Sequence, residues 1–115
     1  MKNKFFLLSL GLCILNSRIY SVEYTIQFEN EQVCSAYLKI MPGEETEYHY
    51  DELSSVVIAL TGGILTRLEA DGSQTQVEFP TGQSVFVNAE TPDKMHKTVN
   101  ATSKTIELII VQLKK

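Results

Sequence analysis

The chain has 115 residues, of which 43% are hydrophobic and 21% charged, with a formal net charge of −4, a composition that allows one domain with a modest core and leaves no room for a second. No basic stripe with interleaved aromatics runs through it, so nucleic-acid binding lacks its electrostatic footprint. An acidic chain is equally ill matched to anionic membrane surfaces.

The first stretch reads as an address rather than as fold. Met1-Lys2-Asn3-Lys4 followed by the apolar run 5–15 has the basic and hydrophobic regions of an export signal. The run is too short for a stable membrane anchor, which takes roughly 20 apolar residues. The expectation is a signal peptide over 1–20, cleaved between Ser17 and Ser21, and a mature domain over 22–115 that is periplasmic or secreted. The alternative keeps residues 1–20 as a tail on a cytoplasmic protein. Lipoprotein processing at Cys13 is disfavoured by the bulky Leu12 before it. Loss of Lys2 and Lys4 takes the net charge from −4 to −6, and loss of Arg18 as well takes it to −7. With Cys13 in the signal, Cys34 is the last cysteine and no internal disulfide is expected. Its alternation with Ala36, Leu38 and Ile40 predicts a buried structural thiol.

From residue 22 onward the pattern is one of short strands. Residues 22–28 alternate, and strand-like segments follow at 33–41, 46–50, 56–60, 64–68, 75–79, 84–87, 95–99 and 105–113. Between them lie breakers: Pro42-Gly43, Gly62-Gly63, Asp71-Gly72, Pro80-Thr81-Gly82 and Thr91-Pro92-Asp93. Asp71-Gly72 predicts a tight antiparallel hairpin, because Asp-Gly tolerates the positive φ angles such a turn needs. The last segment is apolar on both faces from Ile106 to Val111 apart from Glu107, so it is expected to be a central strand or one covered by a partner subunit. Many short strands with no helix to cover a sheet imply an all-β sandwich or closed barrel.

Two polar pairs stand out in this run, His49-x-Asp51 and His96-x-x-x-Asn100. In their setting the chain resembles the cupins, whose first motif is G-x5-H-x-H-x3,4-E-x6-G and whose second is G-x5-P-x-G-x2-H-x3-N. Pro42-Gly43 precedes His49-Tyr50-Asp51 by five residues, and the 56–60 segment leads into Gly62-Gly63. Gly82, the segment 84–87 and His96-Lys97-Thr98-Val99-Asn100 follow the second motif. The likeness covers residues 22–115. It implies a single-domain antiparallel β-barrel of the double-stranded β-helix or jelly-roll type, a homodimer that buries an outer sheet face, and a metal centre. The departures fall on the ligands. Asp51 stands at the second His position, the Glu position falls on Ser55 or Val56, and Asn88 and Glu90 replace the Pro and Gly of the second motif.

The remaining groups still make a coherent donor set. Residues two apart on a strand share a face, so Glu47, His49 and Asp51 are expected to project together and Tyr48, Tyr50 and Glu52 to the other side. Two His with one carboxylate is the facial-triad set for non-haem Fe(II), and His/carboxylate sites also suit Zn, Mn or Ni. The expected ligands are His49, Asp51 and His96, with Glu47 as a fourth ligand or as acceptor for an imidazole N–H. In the competing register the tyrosines point inward and the triad is ordinary exposed polarity. Asn100 reads first as a turn residue, Asn100-Ala101-Thr102 as a glycosylation acceptor in a eukaryotic secretory route only, and Glu44-Glu45-Thr46-Glu47 as a solvated edge.

Three functions fit. The first is a binding module that closes over a small organic ligand, at a divalent-metal site. The second is a metal-dependent enzyme of isomerase, lyase or dioxygenase type acting on a small metabolite. The third, an oxoacid-dependent oxygenase, ranks last: no Arg follows His96, leaving only Lys97, Lys104, Lys114 and Lys115 to anchor an oxoacid carboxylate.

Overall fold

A computed structural model describes residues 22–114; the expected signal segment and its cleavage site lie outside the described residues. Eight strands follow in order: β1 (Glu23–Glu29), β2 (Val33–Ile40), β3 (Ser55–Thr61), β4 (Gly63–Glu69), β5 (Gln74–Phe79), β6 (Ser84–Val87), β7 (His96–Val99) and β8 (Ile106–Leu113). A single 3-10 turn, Pro92–Lys94, precedes β7. No helix among the described residues is long and apolar enough to cross a membrane.

The strands form two antiparallel sheets, one of five in the order β1-β2-β8-β3-β6 and one of three in the order β5-β4-β7. β8 pairs along its whole length with β2 on one side and from Glu107 to Gln112 with β3 on the other. It is the central strand that its two-sided apolar character predicts. Side chains two apart share a face, and the inward set is Ala36, Leu38 and Ile40 from β2, Val57 and Ala59 from β3, and Ile106 and Leu108 from β8. Leu65 and Phe79 of the smaller sheet belong to the same core cluster, so the two sheets share one interior. Ile40 and Ile106 are fully enclosed, and burying each stabilises the fold by roughly 1.5–3 kcal/mol.

The chain changes sheets at Gly62, between β3 and β4. A Cβ there would lie 1.9 Å from the Phe79 carbonyl oxygen and 2.7 Å from the Thr81 nitrogen, so no other residue fits without moving backbone. The neighbouring hairpin β4–β5 is where Asp71-Gly72 predicts it, but the loop is longer than a two-residue turn. Glu69 donates its N–H to the Ser73 carbonyl, leaving three residues in the loop, and only Gly72 takes a positive φ. Asp71 instead accepts from the Ser73 N–H and hydroxyl, the local side-chain closure typical of a three-residue loop.

Two expectations need correction. Segment 46–50 is not a strand: it meets β7 through the isolated bridges Glu45↔Val99 and His49↔His96. Four steps on one side, 45 to 49, oppose three on the other, 99 to 96, so one residue is in surplus and the ladder breaks. The break is stabilised by Thr46, whose hydroxyl accepts the Thr98 N–H that a continued ladder would have given to a carbonyl. Cys34 is fully buried as expected, yet the described residues hold no free thiol, so it is not a lone structural cysteine; the chain's other cysteine, Cys13, lies outside the described residues.

Candidate metal centre

The break in the ladder places the site. His49 and His96 exchange both backbone hydrogen bonds at 2.8 Å, which sets them opposite one another at the first residue of β7. Their rings lie 4.6 Å apart, centroid to centroid. Asp51 follows two residues later, and its backbone is held on both sides by Glu90: the Glu90 N–H donates to the Asp51 carbonyl at 2.7 Å, and the Asp51 N–H donates to Glu90 Oε1 at 3.1 Å.

Each imidazole is oriented through its far nitrogen. His49 Nδ1 lies 2.8 Å from the Glu47 carbonyl oxygen and His96 Nδ1 lies 3.0 Å from that of Lys94. A carbonyl only accepts, so Nδ1 carries a proton on both rings, and it is Nε2 that presents the lone pair when the ring is neutral. These lone pairs meet Asp51, whose Oδ1 is 3.9 Å from His49 Nε2 and Oδ2 4.0 Å from His96 Nε2. Those separations are too long for hydrogen bonds. They match the roughly 3–4 Å between two donors that share one ion at about 2.1 Å. One donor atom from each of the three residues falls within 4.8 Å of the others.

Electrostatics favour the same occupant. Burial pushes the His49 imidazole below its ordinary pKa, reinforced by His96 alongside and opposed by the Glu47 carbonyl. Burial likewise pushes the Asp51 carboxyl up, while the two histidines pull it down. The buried Asp51 carboxylate is thus short of the positive counter-charge that an ion supplies, and burial favours the neutral form of His49, the form that ligates a metal. Arg67 adds a second layer. Burial works against its charge, but Glu69 and Glu90 hold the guanidinium firmly protonated, with Nε 2.5 Å from Glu69 Oε2 and Nη1 2.8 Å from Glu90 Oε2. Glu90 Oε1 is also 3.5 Å from His96 Nδ1. Three carboxylates, Asp51, Glu69 and Glu90, face one arginine, a formal charge of −2 that a divalent cation would neutralise.

His49, Asp51 and His96, the three ligands expected from sequence, are therefore brought together. Glu47 is not among these three; its backbone carbonyl orients His49. Beside the other imidazole stands Glu90, whose Oε1 lies 3.5 Å from His96 Nδ1. That position showed in the sequence only as a departure from the second motif, and nothing in the local pattern around Arg67 on β4 marked it. Asn100 is a turn residue, as its simplest reading has it. Its amide is fully buried, donates to the Ile40 and Lys104 carbonyls and accepts from Thr102, pinning the β7–β8 loop to the end of β2.

The three donors open on a cavity of about 170 Å³ between the sheets. Its walls are mainly apolar, from Leu38, Val57, Leu65, Phe79, Leu108 and Ile110, with polar points at Thr46, Ser55, Thr66, Arg67 and Gln112. A mostly apolar interior with a few convergent polar groups is the usual form of a small-molecule site.

No family model and no curated protein matches the chain. Solved structures do match its fold. A cupin domain from Bordetella pertussis Tohama I is similar at a TM-score of 0.70 and 22% identity, covering 82% of this chain and 94% of that one. A polyketide cyclase from Streptomyces resistomycificus is similar at 0.62 and 15% identity over 84% and 68%. A cupin-family protein with a double-stranded β-helix from Methanocaldococcus jannaschii is similar at 0.60 and 18% identity over 81% and 80%. Strand order, interior and these likenesses agree: the chain has the cupin fold, a double-stranded β-helix, with a His-Asp-His group able to hold a metal ion at the wall of its cavity.

Proposed function

We propose that this protein binds a small organic ligand in the barrel cavity beside one divalent metal ion held by His49, Asp51 and His96. The observation that carries the reading is a paired geometry: both Nδ1 atoms lie against carbonyls, which leaves both Nε2 atoms turned to the Asp51 carboxylate across a gap of ionic size. The candidate ions are Fe, Mn, Zn and Ni, for which two imidazoles and a carboxylate are suitable donors. A bound ion would supply Lewis-acid character toward a ligand oxygen. The chain's own part is to orient: Glu47 and Lys94 carbonyls fix the rings, Glu90 fixes the Asp51 backbone, and the apolar walls exclude water.

Elemental analysis and calorimetry on purified protein test this directly. One divalent ion per chain is expected, lost in Asp51→Asn with the fold intact by circular dichroism. Failure to bind any of the four ions after supplementation would sink the metal half of the reading.

The second reading is a metal-dependent enzyme of isomerase, lyase or dioxygenase type. It is favoured by a three-residue donor set, which leaves coordination positions directed at the cavity; one of the similar structures is a polyketide cyclase. An oxoacid co-substrate fits poorly, because the cavity's arginine, Arg67, is already engaged by Glu69 and Glu90. A homodimer is supported by the outer face of the five-stranded sheet, where Phe86 and Leu60 are about half exposed beside Val56, Ile58, Ile109 and Val111. Light scattering checks it, a monomer mass at micromolar concentration being the contrary result. Export with cleavage between Ser17 and Ser21 is tested by N-terminal sequencing of the mature protein, where Met1 would reject it.

A further inference from the structure

The inward positions of the five-stranded sheet are apolar over most of their length, and one row breaks the pattern. Ser55 and Gln112 are direct partners across β3 and β8, are both buried, and both line the cavity. Gln112 Oε1 has no hydrogen-bond partner, the one buried side-chain polar atom among the described residues of which this is true. Asn100 shows what a structural amide looks like in this protein, with both of its ends satisfied by backbone and Thr102. An unpaired buried carbonyl is destabilising by itself. Gln112 has no such structural return, and it stands at the wall of the ligand cavity.

The cavity's size narrows what could pair with it. At about 170 Å³ it is close to the apolar cavity of about 150 Å³ that accommodates benzene in another protein. Val57, Leu65, Phe79 and Leu108 supply walls suited to a ring. Charge narrows it further: the Gln112 carbonyl is neutral and can only accept, so the group that pairs with it is an uncharged donor rather than an anion. We infer that the cavity takes a ligand with a single six-membered ring carrying a neutral hydroxyl or N–H, whose proton is accepted by Gln112 Oε1. The inference deepens the reading of the cavity as a ligand site and rests on it, but not on the metal.

Titration calorimetry with phenol and toluene, which differ by a hydroxyl for a methyl, tests it on the EDTA-treated full-length protein and on Gln112→Leu. Phenol should bind the wild type about tenfold more tightly than toluene, the usual penalty for leaving such an acceptor unpaired. In Gln112→Leu that preference should vanish or reverse. Without ligand, the variant's thermal midpoint should be at least that of the wild type, because it removes an unsatisfied group. Equal binding of both probes by the wild type, survival of the preference in the variant, or a lowered midpoint each overturns the assignment of Gln112 while leaving the cavity reading standing. Binding of neither probe overturns the cavity reading and this inference together.

Discussion

The sheet around β8 and the segment facing β7 are built on opposite plans. β2, β8 and β3 run as long ladders, β2–β8 with no break in register and β3–β8 with one slip near its end, and their inward side chains are apolar almost throughout. The stretch from Glu45 to Asp51 touches β7 at two isolated bridges, is closed by a threonine side chain, and carries the contact that orients the His49 ring and the backbone that Glu90 clamps. Regular pairing satisfies backbone groups uniformly and gives stability. An interrupted ladder gives up some of that in return for side chains aimed at a common point, which regular alternation alone does not provide. In this barrel, stability and site geometry therefore reside in different regions and should respond to different substitutions.

The largest effect should come from the regular region. Ile106→Ala empties a fully buried position and should lower unfolding free energy by about 3–4 kcal/mol in urea denaturation, while metal stoichiometry of the remaining folded protein stays at one. Loss of metal binding without further loss of stability would break the separation. Next, Asp51→Asn should weaken divalent-ion affinity by about a hundredfold or more, because it removes the one anionic donor. Its metal-free stability should be unchanged or slightly higher, since burial disfavours the carboxylate it replaces. Calorimetry and thermal melts with and without ion read the two halves separately.

Glu90→Gln sharpens the comparison further, because Glu90 touches no ion in the proposed site. It should reduce metal affinity roughly 10–100-fold, the range for groups that orient ligands. A change of less than twofold would mean that the Asp51 backbone is held without it. The smallest effect is in pH. His49 has its pKa lowered in the fold, first by burial, so below its ordinary value near 6.5 the unfolded chain takes up a proton that the folded chain resists. Stability of the metal-free protein should therefore fall as pH drops through about 6.5, and His49→Gln should flatten that part of the midpoint-versus-pH curve. An unchanged slope in the variant would locate the proton uptake elsewhere.

Period-two alternation and turn chemistry are local, and they made most strands and the β4–β5 hairpin legible from residues alone. The segment 46–50 was misread for an equally physical reason: its composition suits a strand, but Thr46 offers the backbone a competing acceptor and one surplus residue breaks the ladder. The three expected ligands could be named because their spacing follows a recurrent frame. Arg67 and Glu90 could not, since they meet only when β4 is laid beside the loop before β7.

What residue order determined by itself was an all-β chain with its inward faces, its central last strand and three chemically competent donors, because these follow from side-chain periodicity and ligand type. What only the tertiary structure decided was convergence. Which nitrogen of each histidine is free, which carboxylate stands beside His96, and which buried oxygen on the cavity wall lacks a partner all depend on groups far apart in the chain and a few ångströms apart in space.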